Sequence, residues 1–261
     1  SLRRAVEKSS NVATYRLYEE LGSRTCMKYL EALNFKGLDK KDYKYNTTCL
    51  GGFTNGTTVV EMAAGYATIA NDGEYRTPDC IIKITDAKGN DIVPEDTSTK
   101  SVYSSSASRM MTSVLQSCVT EYEGTAHVCQ LDVDMPAACK TGTTNNYVDG
   151  WLCGYTPYYT TAVWVGMDVY KSVDNLKGNT YPASIWTNYM NKIHQGLPRK
   201  EFESYLGDTE STTEATTEST EDDTESTTET TTEAIEGDDT TSNTTESDDS
   251  GSNSNDYYDQ D

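Results

Sequence analysis

Five consecutive residues near the middle of this chain, Lys140 to Thr144, combine types that could bind an anion. They read Lys-Thr-Gly-Thr-Thr and follow the small, apolar lead-in Ala137-Ala138-Cys139. This pattern predicts a strand that presents a cation and hydroxyl groups on one exposed face. Because Gly142 has no side chain, a ligand can approach the backbone closely there. Such a surface would suit an extended peptide ending in a carboxylate.

A second polar cluster, Lys8-Ser9-Ser10-Asn11-Val12, lies on a predicted loop that enters a helix. Asn11 carries both amide donors and a carbonyl acceptor, which suits a hydrogen bond to a peptide backbone. Ser and Asn are also favoured helix N-caps, so Ser9 and Asn11 could instead cap a helix that starts near Val12. The residues alone leave both interpretations open.

The order and context of these motifs give a resemblance. The chain is similar to penicillin-binding protein transpeptidase domains of the class A, bifunctional type, from residue 1 to about residue 197. The similar blocks are the Ser-x-Asn motif in Lys8–Val12, the middle segment Leu50–Gly52 with Val60–Gly73, the Lys-Thr-Gly motif in Lys140–Thr144, and the following strands in Trp151–Pro157 and Ala162–Asp168. A Lys-Thr-Gly tripeptide alone is weak evidence for this family, and the residues that follow it make the match specific.

The resemblance implies catalytic roles for three residues. Ser9 matches the serine that relays a proton towards the leaving amine, and Asn11 matches the amide that binds the substrate backbone. Lys140 would place a positive charge in the cleft, where it stabilises the substrate carboxylate and the proton relay.

The same resemblance implies substrate-binding roles for the rest of the Lys-Thr-Gly motif. Thr141 and Thr143 would offer hydroxyls to the substrate carboxylate, and the backbone N–H of Thr143 would be one oxyanion-hole donor. Gly142 keeps the strand open, and Thr144 extends the motif.

The family's nucleophile is missing from this sequence. It is the serine of a Ser-x-x-Lys motif upstream of Ser-x-Asn, yet no Ser here is followed three positions later by Lys. Ser98-Thr99-Lys100 is one residue too short. We therefore expect the C-terminal part of a longer protein, inactive in acylation by itself. The alternative is a degenerate domain that lost its serine.

The implied activity is that of a peptidoglycan D,D-transpeptidase, which cross-links stem peptides and is acylated by β-lactam antibiotics. The parent protein would also carry a glycosyltransferase domain and a membrane anchor upstream, and would work on the extracytoplasmic face of a bacterial membrane. Two alternatives stay open. One is a D,D-carboxypeptidase or β-lactamase-like hydrolase, and the other is a non-catalytic cell-wall-binding module.

Charge divides the chain into two parts, predicted as a transpeptidase portion over 1–200 and a disordered tail over 201–261. Of its 42 acidic residues, 21 lie in the tail, which contains no Lys or Arg. The first 200 residues hold the other 21 acidic and all 21 basic residues, so their net charge is zero. Tail composition, rich in Thr, Ser, Glu and Asp, cannot bury enough apolar area to offset chain entropy. No basic patch favours nucleic acid.

Hydrophobic periodicity predicts helices over 12–21, 24–33, 58–70, 105–119 and 183–194. Strands are predicted at 81–84, at 91–93, and around Cys139, Leu152 and Val163. The resemblance implies that they form a three-layer α/β/α fold with an antiparallel central sheet, incomplete at its N-terminus. Met110 and Met111, on the fourth of these helices, are predicted to lie in the hydrophobic core.

No metal or cofactor is expected. The seven cysteines include no Cys-x-x-Cys pair, and the only two histidines are far apart in the sequence. Buried free thiols are the prediction for the cysteines, with a Cys139–Cys153 disulfide as the alternative.

Overall fold

The computed structural model describes residues 1–93 and 97–205, and these residues belong to one compact unit. The predicted acidic tail lies outside the described residues, apart from its first five positions. No helix within the described ranges is both long and apolar enough to cross a membrane.

Six helices and seven strands make up the described fold. The helices are α1 Leu2–Glu7, α2 Asn11–Leu21, α3 Ser23–Ala32, α4 Val59–Ala70, α5 Ser105–Thr120 and α6 Tyr181–Ile193. The strands are β1 Glu74–Tyr75, β2 Ile84–Thr85, β3 Asp91–Val93, β4 Lys100–Ser101, β5 Ala138–Thr143, β6 Gly150–Tyr155 and β7 Thr160–Val165. Every predicted helix is present, with its ends within two residues of the prediction.

The central sheet is antiparallel, with strand order β5-β6-β7. Its register pairs Cys139 with Gly154 and Leu152 with Val163. Because side chains alternate along a strand, Cys139 and Leu152 project from one face while Lys140, Gly142 and Trp151 belong to the other.

Helices cover both faces of this sheet. On one face, Leu152 packs with Ala183, Trp186 and Met190 of α6 in a fully buried cluster. On the other face, the sheet residues Ala138 and Tyr155 pack against α4 and α5 through Tyr66, Ile69 and Leu115. The predicted α/β/α arrangement is therefore confirmed.

Helix α4 begins as its sequence predicts. The Thr58 hydroxyl accepts a hydrogen bond from the Glu61 N–H at 3.1 Å, and the Glu61 carboxylate accepts one from the Thr58 N–H at 2.8 Å. This capping box satisfies two of the free N–H groups at the helix start. It also fixes the first turn of α4, the helix that packs against β6 and β7.

The prediction that Met110 and Met111 lie in the core is wrong, because both side chains are exposed. The buried arc of α5 instead carries small polar residues such as Ser108 and Thr112. The Thr112 hydroxyl lies 2.8 Å from the hydroxyl of Tyr155, and it also donates to the Ser108 carbonyl. The Thr112 hydroxyl is therefore satisfied within the helix and against the sheet, whereas the buried Ser108 hydroxyl has no hydrogen-bond partner among the described residues.

The predicted strand at 81–84 is mostly wrong, since β2 contains only Ile84 of that segment. The side chain of Ile82 is almost fully exposed. Strand β3, which pairs with β2, forms as predicted. The hairpin turn between them includes Gly89 with φ of 87°. The Asp86 carboxylate accepts the N–H groups of Lys88 and Asn90, which closes the turn.

All seven cysteines lie among the described residues, and each is free. Cys118, Cys129, Cys139 and Cys153 are buried, while Cys80 is exposed. Cys139 and Cys153 are not disulfide-bonded, and their side chains leave the sheet on opposite faces because Cys153 pairs with Lys140.

Candidate active site

The two polar motifs meet in the structure. The Lys140 ammonium donates to the Ser9 hydroxyl at 2.7 Å, although 131 positions separate the two residues. A second hydrogen bond from Lys140 goes to the Thr141 carbonyl at 3.1 Å. A hydroxyl is thus held against a cation at the exposed edge of β5, the edge strand of the central sheet.

Helix α1 places Ser9 by docking on α5. The Arg3 guanidinium donates to the Ser113 carbonyl at 2.8 Å and to its hydroxyl at 3.0 Å. Just beyond α5, the Glu123 carboxylate pairs with Lys8 at 2.8 Å and also with Arg4. Ion pairs thus hold the residue that immediately precedes Ser9.

The backbone of Ser9 is left-handed, with φ of 52°. Such a conformation is uncommon for a residue with a side chain and costs on the order of 1 kcal/mol. It turns the chain between α1 and α2, and the following residue, Ser10, is the N-cap of α2. The Ser10 hydroxyl accepts the Ala13 N–H, so neither Ser9 nor Asn11 caps this helix.

Asn11 is the first residue of α2, and its side chain is exposed. The structure records no hydrogen bond of that side chain to any residue in 1–93 or 97–205. Its amide is therefore available to a ligand, and its predicted role in binding the substrate backbone stays a prediction.

Burial changes the acid–base chemistry of Lys140. Desolvation lowers the pKa of its ammonium group, and only a charged Cys118 thiolate would oppose this shift. Burial in turn raises the pKa of Cys118, so this thiol is neutral near pH 7. Lys140 therefore gives up its proton more readily than a solvated lysine does.

The hydroxyls of Thr141 and Thr143 have different hydrogen-bond roles. Thr141 donates to the Thr125 hydroxyl at 2.9 Å, which uses its single proton. Thr143 accepts the Gly178 N–H at 2.9 Å and keeps its own proton. Of the two, Thr143 is thus the hydroxyl that is ready to donate to an anion.

Thr144 closes the turn between β5 and β6. Its hydroxyl accepts the Asp149 N–H at 2.8 Å and lies 3.1 Å from the Asp149 carboxylate. The same carboxylate accepts the indole N–H of Trp164 at 2.9 Å. The Thr144 hydroxyl is already used within the protein, and its substrate-binding role stays a prediction.

The backbone of β5 is supported closely around Gly142. A Cβ added to Gly178 would lie 2.7 Å from the Gly142 carbonyl oxygen and 2.6 Å from that of Trp151. The segment containing Gly178 therefore lies against the β5–β6 ladder with no room for a side chain. Added to Gly142 itself, a Cβ would meet that of Trp151 at 3.1 Å.

A cavity of about 640 Å³ adjoins this part of β5. The sheet contributes Gly142, Trp151 and Trp164 to its wall, and α4 contributes Val59, Met62 and Tyr66. Glycines and Phe53 from the segment 50–53 complete the lining. The cavity thus opens on the same sheet face to which Lys140 belongs.

Sequence reasoning did not identify Thr125, Asp149 or Gly178. Thr125 and Gly178 contact the predicted motif only through the fold, since they lie 16 and 35 positions from their partners. Of the three, Asp149 could most readily have been identified from the sequence, because a turn between two predicted strands often contains an Asp that binds backbone N–H groups.

Comparison with known proteins gives a family. Residues 1–195 match the family described as penicillin binding protein transpeptidase domain. The chain is 31% identical over 204 residues to penicillin-binding protein 1A of Clostridium botulinum, and 33% identical over 186 residues to penicillin-binding protein 4 of Bacillus subtilis. These matches cover 78% and 71% of this chain, but only 24% and 29% of the two relatives.

Solved structures give the same fold. The penicillin-binding protein PonA1 from Mycobacterium tuberculosis superposes with a TM-score of 0.67 at 24% identity. The match covers 78% of this chain and 58% of that one. The same protein in complex with penicillin V gives a TM-score of 0.67 at 23% identity. From the family match and the shared fold together, this chain belongs to the penicillin-binding protein transpeptidase domain family.

Proposed function

We propose that this chain forms the Ser-x-Asn and Lys-Thr-Gly side of a D,D-transpeptidase site. The observation that carries the proposal is the 2.7 Å hydrogen bond from Lys140 to Ser9. It joins two distant motifs into one group that can hold a cation and move a proton. The nucleophilic serine and its lysine belong to a segment outside this chain, for which the 640 Å³ cavity beside Gly142 offers space.

The proposed reaction forms and breaks one bond in each half. The serine oxygen, whose proton passes to its lysine partner, attacks the carbonyl of the penultimate D-Ala, and the C–N bond to the terminal D-Ala breaks. The leaving amine takes a proton through the Ser9 hydroxyl, which Lys140 keeps oriented. An amine of a second stem peptide then displaces the serine and completes the cross-link.

Substrate binding in this proposal uses charge and hydrogen bonds from β5. Lys140 attracts the terminal carboxylate, and the free proton of Thr143 points to it as a donor. The Thr143 N–H and an N–H of the missing serine would stabilise the oxyanion. Asn11 binds the peptide backbone. The same features suit β-lactam antibiotics, which acylate this family.

The rest of the predicted organisation is also a proposal. We place the whole protein on the extracytoplasmic face of a bacterial membrane, with an anchor and a glycosyltransferase domain outside this chain. The match to about a quarter of the length of penicillin-binding protein 1A supports this view. Residues 1–200 form the transpeptidase portion in this proposal, and the predicted tail over 201–261 lies outside the described residues apart from 201–205.

The test is labelling of the protein expressed from the complete gene with a fluorescent penicillin. We expect Lys140→Met to lower the labelling rate at least ~100-fold, because a fixed charge at the reacting centre is lost. Lys88→Met is the matched control, since Lys88 lies in an exposed turn and should leave the rate unchanged.

Two results would oppose the proposal. Absence of label on a folded wild-type protein would support the wall-binding alternative. Equal labelling of the Lys140→Met variant would remove Lys140 from the site. Transpeptidase and hydrolase are separated by measuring D-Ala release from a D-Ala-D-Ala peptide with and without an amine acceptor. Release that ignores the acceptor favours the hydrolase.

A further inference from the structure

Ser9 follows α1 in a Schellman motif, a common way for a helix to end. The Ser10 N–H donates to the Ala5 carbonyl at 2.8 Å. The Ser9 N–H donates to the Val6 carbonyl at 3.0 Å. Ser9 therefore occupies the left-handed position of the motif, where glycine is usual. Its hydroxyl reaches Lys140 from that position, so the contact depends on the geometry of the last turn of α1.

Helix α1 cannot keep that turn by itself. It contains six residues, Leu2–Glu7, and isolated helices shorter than about 12 residues are marginal in water. Arg4 and Lys8 are four positions apart, so these like charges lie next to each other at its end and repel. Packing of Val6 against the core holds the helix but leaves this repulsion in place.

Glu123 places a negative charge between these two cations. One oxygen of its carboxylate lies 2.8 Å from the Lys8 ammonium, and the other pairs with the Arg4 guanidinium. Arg4 also pairs with Glu7 at 3.0 Å, within α1. The Lys8 ammonium has no other ion pair in the described ranges. Among the described residues, Glu123 is therefore the carboxylate that joins Arg4 to Lys8.

The turn that carries Glu123 is fixed at the end of α5. The Gly124 N–H donates to the Glu121 carbonyl at 2.8 Å, and the Ala126 N–H donates to the Cys118 carbonyl at 2.9 Å. A Cβ added to Gly124 would lie 2.2 Å from the Cys118 carbonyl oxygen. The turn thus lies against α5 with no room for a side chain there. Because the turn is held in this way, α5 sets the position of the Glu123 carboxylate.

We infer that Glu123 is a positioning residue for Ser9. Its carboxylate offsets the repulsion between Arg4 and Lys8, and it holds the last turn of α1 on α5. The Ser9 hydroxyl therefore stays at hydrogen-bond distance from Lys140. This inference rests on the proposed function, in which that hydroxyl passes a proton to the leaving amine. It adds to the site a charged side chain that belongs to neither the Ser-x-Asn nor the Lys-Thr-Gly motif.

The experiment measures acylation by benzylpenicillin of the protein expressed from the complete gene. We expect Glu123→Gln to lower the second-order rate constant about five-fold at low salt, the upper end for exposed ion pairs. Benzylpenicillin is used in excess, so the rate constant does not depend on the fraction of protein that is folded.

Ionic strength shows whether the loss is electrostatic. The side chains of Arg4, Lys8 and Glu123 are between 36% and 48% exposed, so salt can screen their charges. The Debye length falls from about 10 Å at 0.1 M to about 3 Å at 1 M. We therefore expect the ratio of wild-type to Glu123→Gln rate constants to fall to about two at 1 M NaCl. The ratio is compared because salt also weakens the attraction of benzylpenicillin to Lys140, in both proteins alike.

Two further variants control the measurement. Glu121→Gln removes an exposed carboxylate two positions earlier, which has no ion pair among the described residues, and it should leave the rate constant unchanged. Lys8→Met removes one of the two repelling cations. In that background, Glu123→Gln should lower the rate constant less than about two-fold, because the two residues act as a pair.

The outcomes separate the inference from the proposed function. A folded wild-type protein that is not acylated overturns the proposed function and the inference with it. An acylated wild type that Glu123→Gln does not slow overturns the inference alone. A loss that is equally large at both salt concentrations, or in the Lys8→Met background, also overturns the inference alone, because it would not come from the ion pairs.

Discussion

The two faces of the central sheet are built differently from the same three strands. On the face towards α6, Leu152, Trp186 and Met190 are completely buried. On the face towards α4, Trp151 and Trp164 are half-buried and border a cavity of about 640 Å³. Close packing on one face can hold β5 in place while the other face keeps space for a ligand or another segment.

The largest effect should come from emptying the closed face. Trp186→Ala removes a fully buried side chain whose indole N–H donates to the Thr161 carbonyl at 3.1 Å. We expect it to lower the free energy of unfolding by about 3–5 kcal/mol. Urea unfolding of the chain measures this. Trp151→Ala on the open face should cost less than about 2 kcal/mol, and equal losses would mean that the faces do not differ.

A smaller effect should follow from adding a methyl group at Gly178, which lies against the backbone of β5. Gly178→Ala places a methyl group within 2.8 Å of the backbone of Gly142, so the strand or the loop must shift. We expect a loss of about 1–3 kcal/mol in the free energy of unfolding. Gly65→Ala is the control, because its added Cβ would meet Phe35 at an ordinary 3.7 Å. A stability unchanged by Gly178→Ala would show that β5 is free to move.

The smallest effect we expect is in the pH dependence of stability, and it arises on the open face. The pKa of Lys140 is lowered from 10.5 by burial, so above its folded pKa the unfolded chain binds more protons than the folded one. Stability of the wild type relative to Lys140→Met should therefore rise with pH up to about 10.5. Unfolding free energies of both proteins at several pH values test this sign. A difference that falls with pH would mean that Lys140 is stabilised as a cation.

Much of the fold followed from local chemistry in the sequence. The helix predicted over 58–70 begins within one residue of the observed α4, where Thr58 and Glu61 form a capping box, and the three long strands were recognisable from their residue types. The buried face of α5 could not be recognised from the sequence, because its sheet-facing positions are small and polar. The buried Thr112 hydroxyl bonds within the helix and to Tyr155, and hydrophobicity cannot indicate such bonds.

The candidate site was predicted through the family resemblance rather than from spacing. No local pattern joins Ser9 to Lys140, since the contact forms only when α1 docks on α5 and both reach β5. Thr125 illustrates the remaining gap. Its residue type gives no functional signal, and its 2.9 Å contact with Thr141 forms only in the folded chain.

The buried thiols give this protein internal reporters of its own opening. Cys139 leaves the sheet towards α6, whereas Cys153 leaves it towards α4. Burial raises the pKa of both thiols, that of Cys153 to about 12, so neither reacts with an alkylating reagent while it stays packed. Exposed Cys80 reacts first. The order in which the other two follow records which side of the sheet separates from its helices first.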